Sequence, residues 1–481
     1  MELYNNIASV LSKKGINLTI GTIYDYMEMW KEWYQGSVGD FHYYSERIGG
    51  VETPCERLTM NMPKKVCEDV AKLLWTEKTR IELSNKKSTD KLWKTLDSKE
   101  NSFTVNLPIF IEKFLSIGNG ATVEYKDENN KTIIDYIDGD VIIPYKYTNS
   151  YISGMITISR FIEEIGKKTV YYTHITYHEF TGDLYIKLNE LYKSSDGTTL
   201  GKEIDFTEMF PKVKNEEVIR TKSPHFQIWK PNLANNIDAS SPMGISIYAN
   251  SIDRFKSIDI KYDSFYNEFI LGKKRIIIDQ SAMKGKIETD NDGNSKFVQY
   301  FDKNDKVYQG INIDGDKMKD PVKEIDMKLR YQEHIDSINA DLNWLSENMG
   351  LGSNFYKFDG VSTKTATEVM SENSQAFRTK THYQTIINDC VYDLVQAVCE
   401  LEGIKTNKIT IIPDDSIIED KNAEMTRAQM EVAAGLRSKK SYLMDVKGMS
   451  EQEAEEELQR ITEEKQSDSK MFGFENEQKG E

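Results

Sequence analysis

At 481 residues and 55.5 kDa the chain is too long for one ordinary domain and long enough to bury a large core, so two to four structural units are expected. Hydrophobic residues make up 38% and charged residues 29%, with a mean hydropathy of -0.59, and no stretch offers the ~20 consecutive apolar residues of a membrane-spanning helix. A net charge of -16, from 78 acidic against 62 basic residues, argues against a protein that grips nucleic acid with a broad basic face. The start, MELYNNIASVLSKKG, lacks the basic, apolar and small-residue regions of a signal peptide, which points to synthesis and use in the cytoplasm. Cys55, Cys67, Cys390 and Cys399 form no CxxC pair and no disulfide framework, and are expected to be reduced and buried.

In chain order, the first 85 residues read as helices. TIYDYMEMWKEWYQGS places Ile23, Tyr26, Trp30, Trp33 and Tyr34 at helical spacing with Gly36 as the stop, and Pro63 opens a second helix through Val66, Val70, Leu73 and Leu74. After a helical stretch around Phe110 to Leu115, short alternating strands and turns from about 118 to 195 predict an antiparallel β-rich unit. A looser segment, with SPHFQIWKPN, runs to about 240 and reads as irregular surface structure. From Ser241, an N-cap, and Pro242, at the first helical position, Tyr248, Ile252, Phe255, Tyr262, Tyr266 and Phe269 predict a helix of about 40 Å ending at Gly272. About 50 residues of strand and turn follow (KKRIIID, SKFVQYFD, DKVYQGINIDG). A second long helix is then predicted after Pro321, with Ile325, Leu329, Ile335, Leu342 and Leu345 on one seam. Two long helices flanking a small β insertion also fit a helical hairpin with a decorated tip.

The loop GLGSNFYKFDGVS (Gly350 to Ser362) precedes the longest helical stretch, Thr363 to about Glu402, polar in its first half and apolar in its second through Ile386, Ile387, Cys390, Val391, Leu394, Val395 and Val398. Gly403 ends it, KITIIP reads as a strand, and acidic helices follow from about Asp420. The last of these has Ser450 as cap and Glu453 completing a capping box, and the last dozen residues read as disordered. Residues 414 to 481 hold 18 acidic and 10 basic residues, a net -8 that is half of the total.

No catalytic constellation emerges. The stretch from Gly197 to Lys202 has the wrong glycine spacing for a phosphate loop and Glu203 where a hydroxyl belongs, so a nucleotide-driven motor is not expected. His174 and His178 are four apart but lie in the strand-like VYYTHITYHEF, roughly 13 Å apart, which disfavours a metal pair. Asp290, Asp292, Gly293 and Asn294 hint at a calcium loop, yet the glycine is at the fourth position and Phe301 stands where a glutamate is needed, so a polar hairpin turn is the better reading. No nucleophile elbow appears and the six histidines are scattered. No cofactor is expected.

The order of parts resembles the portal proteins of tailed double-stranded DNA bacteriophages, the siphophage type of Gram-positive hosts. The residues that carry the likeness are WKEWYQG (Trp30 to Gly36), RLTMNMP (Arg57 to Pro63), PMGISIYAN (Pro242 to Asn250), YDSF (Tyr262 to Phe265), Glu268 and Phe269 with GKKRI from Gly272, and KTATEVMSENS (Lys364 to Ser374). The resemblance implies an α+β portal fold: a mixed α/β wing over 1–240, stem helices over 241–270 and 322–348 flanking a β-rich clip over 271–321, and a tunnel loop over 349–362. A tunnel helix over 363–403, a return strand over 404–419 and a helical crown with an acidic tail over 420–481 complete it.

It further implies a non-enzymatic ring of twelve subunits at a capsid vertex of the virion, assembled in the host bacterial cytoplasm. Double-stranded DNA would be packaged and ejected through it, and its partners would be the terminase large subunit, head-completion adaptors, and the major capsid and scaffolding proteins, with no membrane. The implied channel constriction is Gly350, Gly352, Ser353, Asn354, Lys357, Asp359 and Gly360. Candidate DNA-facing cations are Lys364, Arg378 and Lys380, although lone charges of this kind are more often simply solvated. Clip contacts would involve Lys284, Lys286, Lys303 and Lys306, with Lys273, Lys274 and Arg275 as further candidates. Tyr248, Ile252, Phe255, Tyr262, Leu329, Ile335 and Leu342 would pack the stem. Phe355, Tyr356 and Phe358 either sit on a mobile loop or anchor it in a core. Other readings are a different head or baseplate component, or a DNA-processing enzyme.

Overall fold

The computed structural model describes residues 2–471 apart from 19, 49, 167, 273–274, 279–283, 290–294, 301–321, 326–327, 359–365, 415–420, 448 and 450. Helices α1 (Glu2–Lys13), α2 (Ile23–Gln35) and the short α3 (Gly39–His42) open the chain. Trp30 and Trp33, on one face of α2, are fully buried, and Gly36 ends the helix in the left-handed region.

Residues 43–56, expected to be helical, instead form an antiparallel ribbon of β1 (Tyr43–Ile48) and β2 (Val51–Glu56). Aromatic and β-branched residues on both sides of Gly49-Gly50 favour a hairpin over a helix there. α4 (Met62–Leu74) starts at Pro63 as expected from its fixed φ. β3 (Arg80–Leu83), α5 (Lys86–Leu96) and α6 (Phe103–Ile117) follow, with Pro108 inside α6.

The β-rich region contains two sheets. β4 (Gly120–Lys126) and β5 (Thr132–Asp138) pair in one. In the other, β6 (Ile142–Thr148), β7 (Tyr151–Ile165), β8 (Lys168–Thr181), β9 (Leu184–Ser194) and β10 (Lys202–Ile204) run in sequential antiparallel order, and β11 (Glu216–Arg220) also pairs with β9. SPHFQIWKPN is not surface irregularity: β12 (Phe226–Trp229) completes the three-stranded sheet in the order β12-β4-β5. It is buried because Trp229 meets Phe110 and Phe114 of α6 at ring separations of 5.5 and 5.9 Å.

The helix expected from Pro242 starts ten residues later, at α7 (Ile252–Leu271), about 30 Å long. Residues 242–248 form no helix, with 243–246 irregular and a turn at 247–248. The Asn119 amide accepts from the Gly244 N–H at 2.7 Å and donates to the Gly244 carbonyl at 3.0 Å. Gly118, at φ +85°, lies so close that a Cβ would stand 2.2 Å from the Ile245 carbonyl carbon. Met243, Ile245 and Ile247 are buried there.

Beyond α7 come β13 (Arg275–Ile278), the hairpin of β14 (Lys284–Thr289) and β15 (Ser295–Tyr300), and β16 (Val322–Ile325). DKVYQGINIDG lies outside the described residues, as do Asp290 to Asn294, but the strands flanking that turn pair antiparallel, with Thr289 opposite Ser295. The second long helix does not begin after Pro321. VKEI pairs with RIII of β13, and α8 starts at Tyr331 and runs to Asn348. The apolar ends of VKEI are three apart, as on a helix, but ladder pairing with the β-branched run of β13 prevails, so Ile325 is off the helical seam and Leu329 precedes α8. α9 (Ala366–Leu401), β17 (Ile409–Ile412, antiparallel to β3), α10 (Lys421–Ala433), α11 (Lys439–Lys447) and α12 (Glu451–Met471) complete the chain. Ser450 and the residues after 471 lie outside the described set. All four cysteines are free, but Cys55 and Cys390 are only half-buried.

Candidate functional site

α7 and α8 lie side by side and antiparallel, and polar side chains fix their register. Asp341, buried on α8, takes the Lys261 ammonium at 2.7 Å and the Ser257 hydroxyl at 2.5 Å, with the Arg254 guanidinium 3.6 Å away. At the far end Glu268 receives two guanidinium bonds from Arg330, at 2.7 and 3.1 Å, and the Arg330 backbone N–H. The Arg330 fork holds its carboxyl down to about 2. His334 stacks on Phe265 at 5.4 Å beside the same carboxylate.

The pair is bolted to the body through α7. Asp259 meets His42 at 3.2 Å and accepts the Met60 N–H at 2.9 Å, while Asp263 accepts the Leu58 N–H at 3.1 Å. Burial pushes the Asp259 carboxyl up.

Among the expected stem residues, Phe255 and Leu342 are buried, Ile252, Tyr262 and Ile335 are half-buried, and Leu329 packs at Gly272 just before α8. Tyr248 is not on the helix. It is buried ahead of it, donating to the Trp30 carbonyl at 2.8 Å. Tyr266 and Phe269, expected on the packed stripe, face outward together with Ile270, Tyr331 and Trp344, the last 58% exposed with the Arg254 guanidinium 5.3 Å from its ring centre.

After α8 the chain turns at Gly350 (φ +66°), whose carbonyl accepts from Thr379 of α9 at 2.6 Å. Residues 351–358 are then lashed to α8. The Asn354, Tyr356 and Phe358 amides donate to Asn343 Oδ1 at 2.8 Å, Ser346 Oγ at 3.0 Å and Asn339 Oδ1 at 2.8 Å. Tyr356 is buried and Phe358 packs edge-on to Tyr262 and Phe265 at 6.2 and 5.9 Å, so these two rings anchor the segment; Phe355 is exposed. Gly352 and Asn354 adopt positive φ, Ser353 bonds Glu347, and Lys357 is half-buried, whereas Asp359 and Gly360 lie outside the described residues.

Of the candidate cations, Lys364 is outside the described residues and Arg378 is exposed. Lys380 is not at the surface. It is buried and donates to the Asp414 carbonyl at 2.7 Å, because α9 turns that face toward the chain returning after β17. Lys284 and Lys286 lie on β14, and Arg275 on β13, without described side chains; Lys273, Lys274, Lys303 and Lys306 fall outside the described residues. Sequence reasoning passed over Asp341, Asn339, Asn343 and Ser346. The last three recur at i, i+4 and i+7, and that polar stripe was the available signal.

His174 and His178 are both engaged in hydrogen bonds within the sheet. His174 bonds Asn189 and Thr176 at 3.0 and 3.1 Å and His178 the Tyr185 hydroxyl at 2.8 Å, and burial lowers both imidazole pKa values. Among the described residues no cluster of three or more metal-ligating side chains occurs, and no helix is long and apolar enough to cross a membrane. Gly197 to Lys202 leads into strand β10, so it lacks the helix N-terminus a phosphate loop needs.

The chain is thus an α+β protein in which two antiparallel helices carry a β insertion and are followed by a looped return and a 36-residue helix. The model of the family described as "Phage portal protein, SPP1 Gp6-like" matches residues 21–471, and the chain belongs to that family. Comparison with curated proteins finds no match. Similar solved structures include a chain of the virion of a native gene transfer agent particle (11% identity, TM-score 0.41, 81% of this chain and 90% of that one). Others are the neck of the native particle computed with C12 symmetry (11%, 0.39, 79% and 89%) and the neck of the empty particle computed with C6 symmetry (11%, 0.41, 80% and 88%). The portal family is structural rather than enzymatic.

Proposed function

We propose that copies of this chain close into a ring of twelve at one vertex of a phage capsid, forming the channel through which double-stranded DNA is packaged and ejected. The observation that carries this reading is the family match over nearly the whole chain. It is supported by the outward-facing Tyr266, Phe269, Ile270, Tyr331 and Trp344 on the α7–α8 pair, because exposed apolar residues on so short a helical hairpin call for a neighbour. In a cyclic ring the contact is heterologous, so each pair offers one face to the next copy and another to the previous one.

In this reading residues 1–240 form the wing, α7 and α8 the stem, and the β13–β16 insertion the clip that meets the terminase large subunit and later the head-completion adaptors. Gly350 to Ser362 edges the channel with Arg378 and Lys364 near the DNA, and α10–α12 form the crown. The wing would meet the capsid and scaffolding proteins. The protein does no covalent chemistry; the energy for translocation comes from the separate terminase. Electron microscopy of the purified protein tests the proposal. A closed ring with a central channel is expected, and a monomer or an open filament refutes it.

A further inference from the structure

α5 carries a basic stripe of which only the middle lysine has a partner elsewhere in the chain among the described residues. Lys87, Lys91 and Lys94 recur at i, i+4 and i+7 on its outer face, all exposed, opposite the buried Leu92 and Leu96. The Lys91 ammonium donates to the Glu402 carbonyl at 2.6 Å, and Ser84 bonds Thr406 at 2.9 Å, which brings the turn after α9, with exposed Lys405 and Lys408, beside the stripe. Asp90 flanks the stripe, and the Glu402 carboxylate lies there too but is shared between Lys126 at 2.5 Å and Lys91 at 3.9 Å. The patch therefore stays positive.

The complementary charge is in the same chain. α12 exposes Glu456 and Glu463 on one face, with Glu453, itself partnered, and Arg460, turned to Glu457 at 3.5 Å, on the same face. Glu456 and Glu463 are seven residues apart, as are Lys87 and Lys94, so both pairs span about 10.5 Å along their helices. The C-terminal helices also need a partner: Ala428 and Ala454 are their fully buried apolar residues among those described, and Met430 and Leu436 are exposed. They follow β17, whose first residue Ile409 pairs with Leu83 three residues ahead of α5, and Asp414 beyond it is bonded by Thr76. α10 to α12 are tied to one another, by Gln429 to Tyr442 and by Lys440 to Glu455.

We propose that the α5 lysine patch is a docking surface for the acidic α12 of a second copy of this chain, so that each copy's C-terminal helices clamp the body of its neighbour. This rests on the ring reading for the presence of a neighbour at fixed distance. Exposed ion pairs are individually weak, but several in register on matched helices act as one salt-sensitive contact.

The test is a charge swap in the full-length chain, read as the protomer concentration at half-assembly by mass photometry, with circular dichroism confirming that each variant folds. The paired reversal Lys87→Glu with Lys94→Glu should raise that concentration about tenfold, since several ion pairs become repulsive at once. Glu456→Lys with Glu463→Lys should do the same, the quadruple variant should return near wild type, and wild-type assembly should weaken between 50 and 500 mM NaCl. Unchanged assembly in both paired variants overturns the proposal, and so does loss without rescue in the quadruple variant. If the lysine variant assembles normally but loses binding to a double-stranded DNA fragment, the patch serves nucleic acid and the α12 assignment falls. Wild-type protein that forms no ring overturns the ring reading as well, whereas rings indifferent to these charges overturn this inference alone.

Discussion

Glu124→Gln probes the buried polar cluster around β4. Glu124 is fully buried on β4, its backbone N–H given to the His225 carbonyl at 3.1 Å. Its Oε2 accepts from Gln227 at 3.1 Å, Gln227 accepts from Thr122 at 2.7 Å, and Thr122 accepts from the Trp229 indole at 3.1 Å. Burial pushes the carboxyl up to about 8 from 4.5, against the smaller opposing effect of the Gln227 and Thr122 bonds. The folded chain therefore keeps a proton that the unfolded chain releases. The sign follows: this group's favourable contribution is complete below about pH 4.5 and is lost as the pH rises toward 8. At pH 7 the loss is about 3 kcal/mol. The glutamine cannot ionise, so its stability lacks this slope, although its amide adds a buried donor that costs about 1 kcal/mol at every pH. Chemical denaturation at pH 5, 6.5 and 8 should show the variant at or below wild type at pH 5 and above it at pH 8. Parallel stability curves for the two proteins would refute the reasoning.

Other substitutions test the α7–α8 pair and the segment that follows it. Asp341→Ala leaves Lys261 and Arg254, both on α7, without the carboxylate they share, and should cost about 2 kcal/mol in urea unfolding; the cost stays below that of a fully buried pair because both cations are partly hydrated. Asn343→Ala with Ser346→Ala removes the acceptors for the Asn354 and Tyr356 amides, which should then exchange with deuterium roughly fivefold faster at each site, from ~1 kcal/mol per bond. Unchanged exchange would mean that the loop is held elsewhere. Lys380→Met strips the Asp414 carbonyl of its donor and should lower stability by about 1 to 2 kcal/mol, while Arg378→Ala, at the surface, should stay within about 0.5 kcal/mol. Thermal unfolding of the two variants side by side checks this, and equal losses would contradict the placement of Lys380.

Much of the architecture was legible because it depends on short-range rules. The Trp30 and Trp33 face, the Gly36 stop, Pro63 and the Gly403 terminus are local signals, and each sits where its spacing puts it. The order of helices, strands and insertion, with its family resemblance, was also written along the chain. The failures share a cause. PMGISIY has good helical periodicity and a proline start, yet Asn119, more than 120 residues away, supplies the two bonds that hold Gly244 outside any helix. VKEI was read into a helix because its partner RIII lies about 45 residues earlier.

Among candidate site residues the same division holds. The positive-φ turn at Gly350, Gly352 and Asn354 could be inferred from composition, but whether a lysine on α9 meets water or a backbone carbonyl could not. Lys380 and Arg378 are two positions apart on one helix; β17, pairing with distant β3, brings Asp414 to one of them and not to the other. By itself the sequence determined the family, the helix stops and the concentration of acidity at the C-terminal end. The tertiary structure alone decided which charges are neutralised and which apolar residues remain outside, because burial and ion pairing depend on what the rest of the chain brings within a few ångströms.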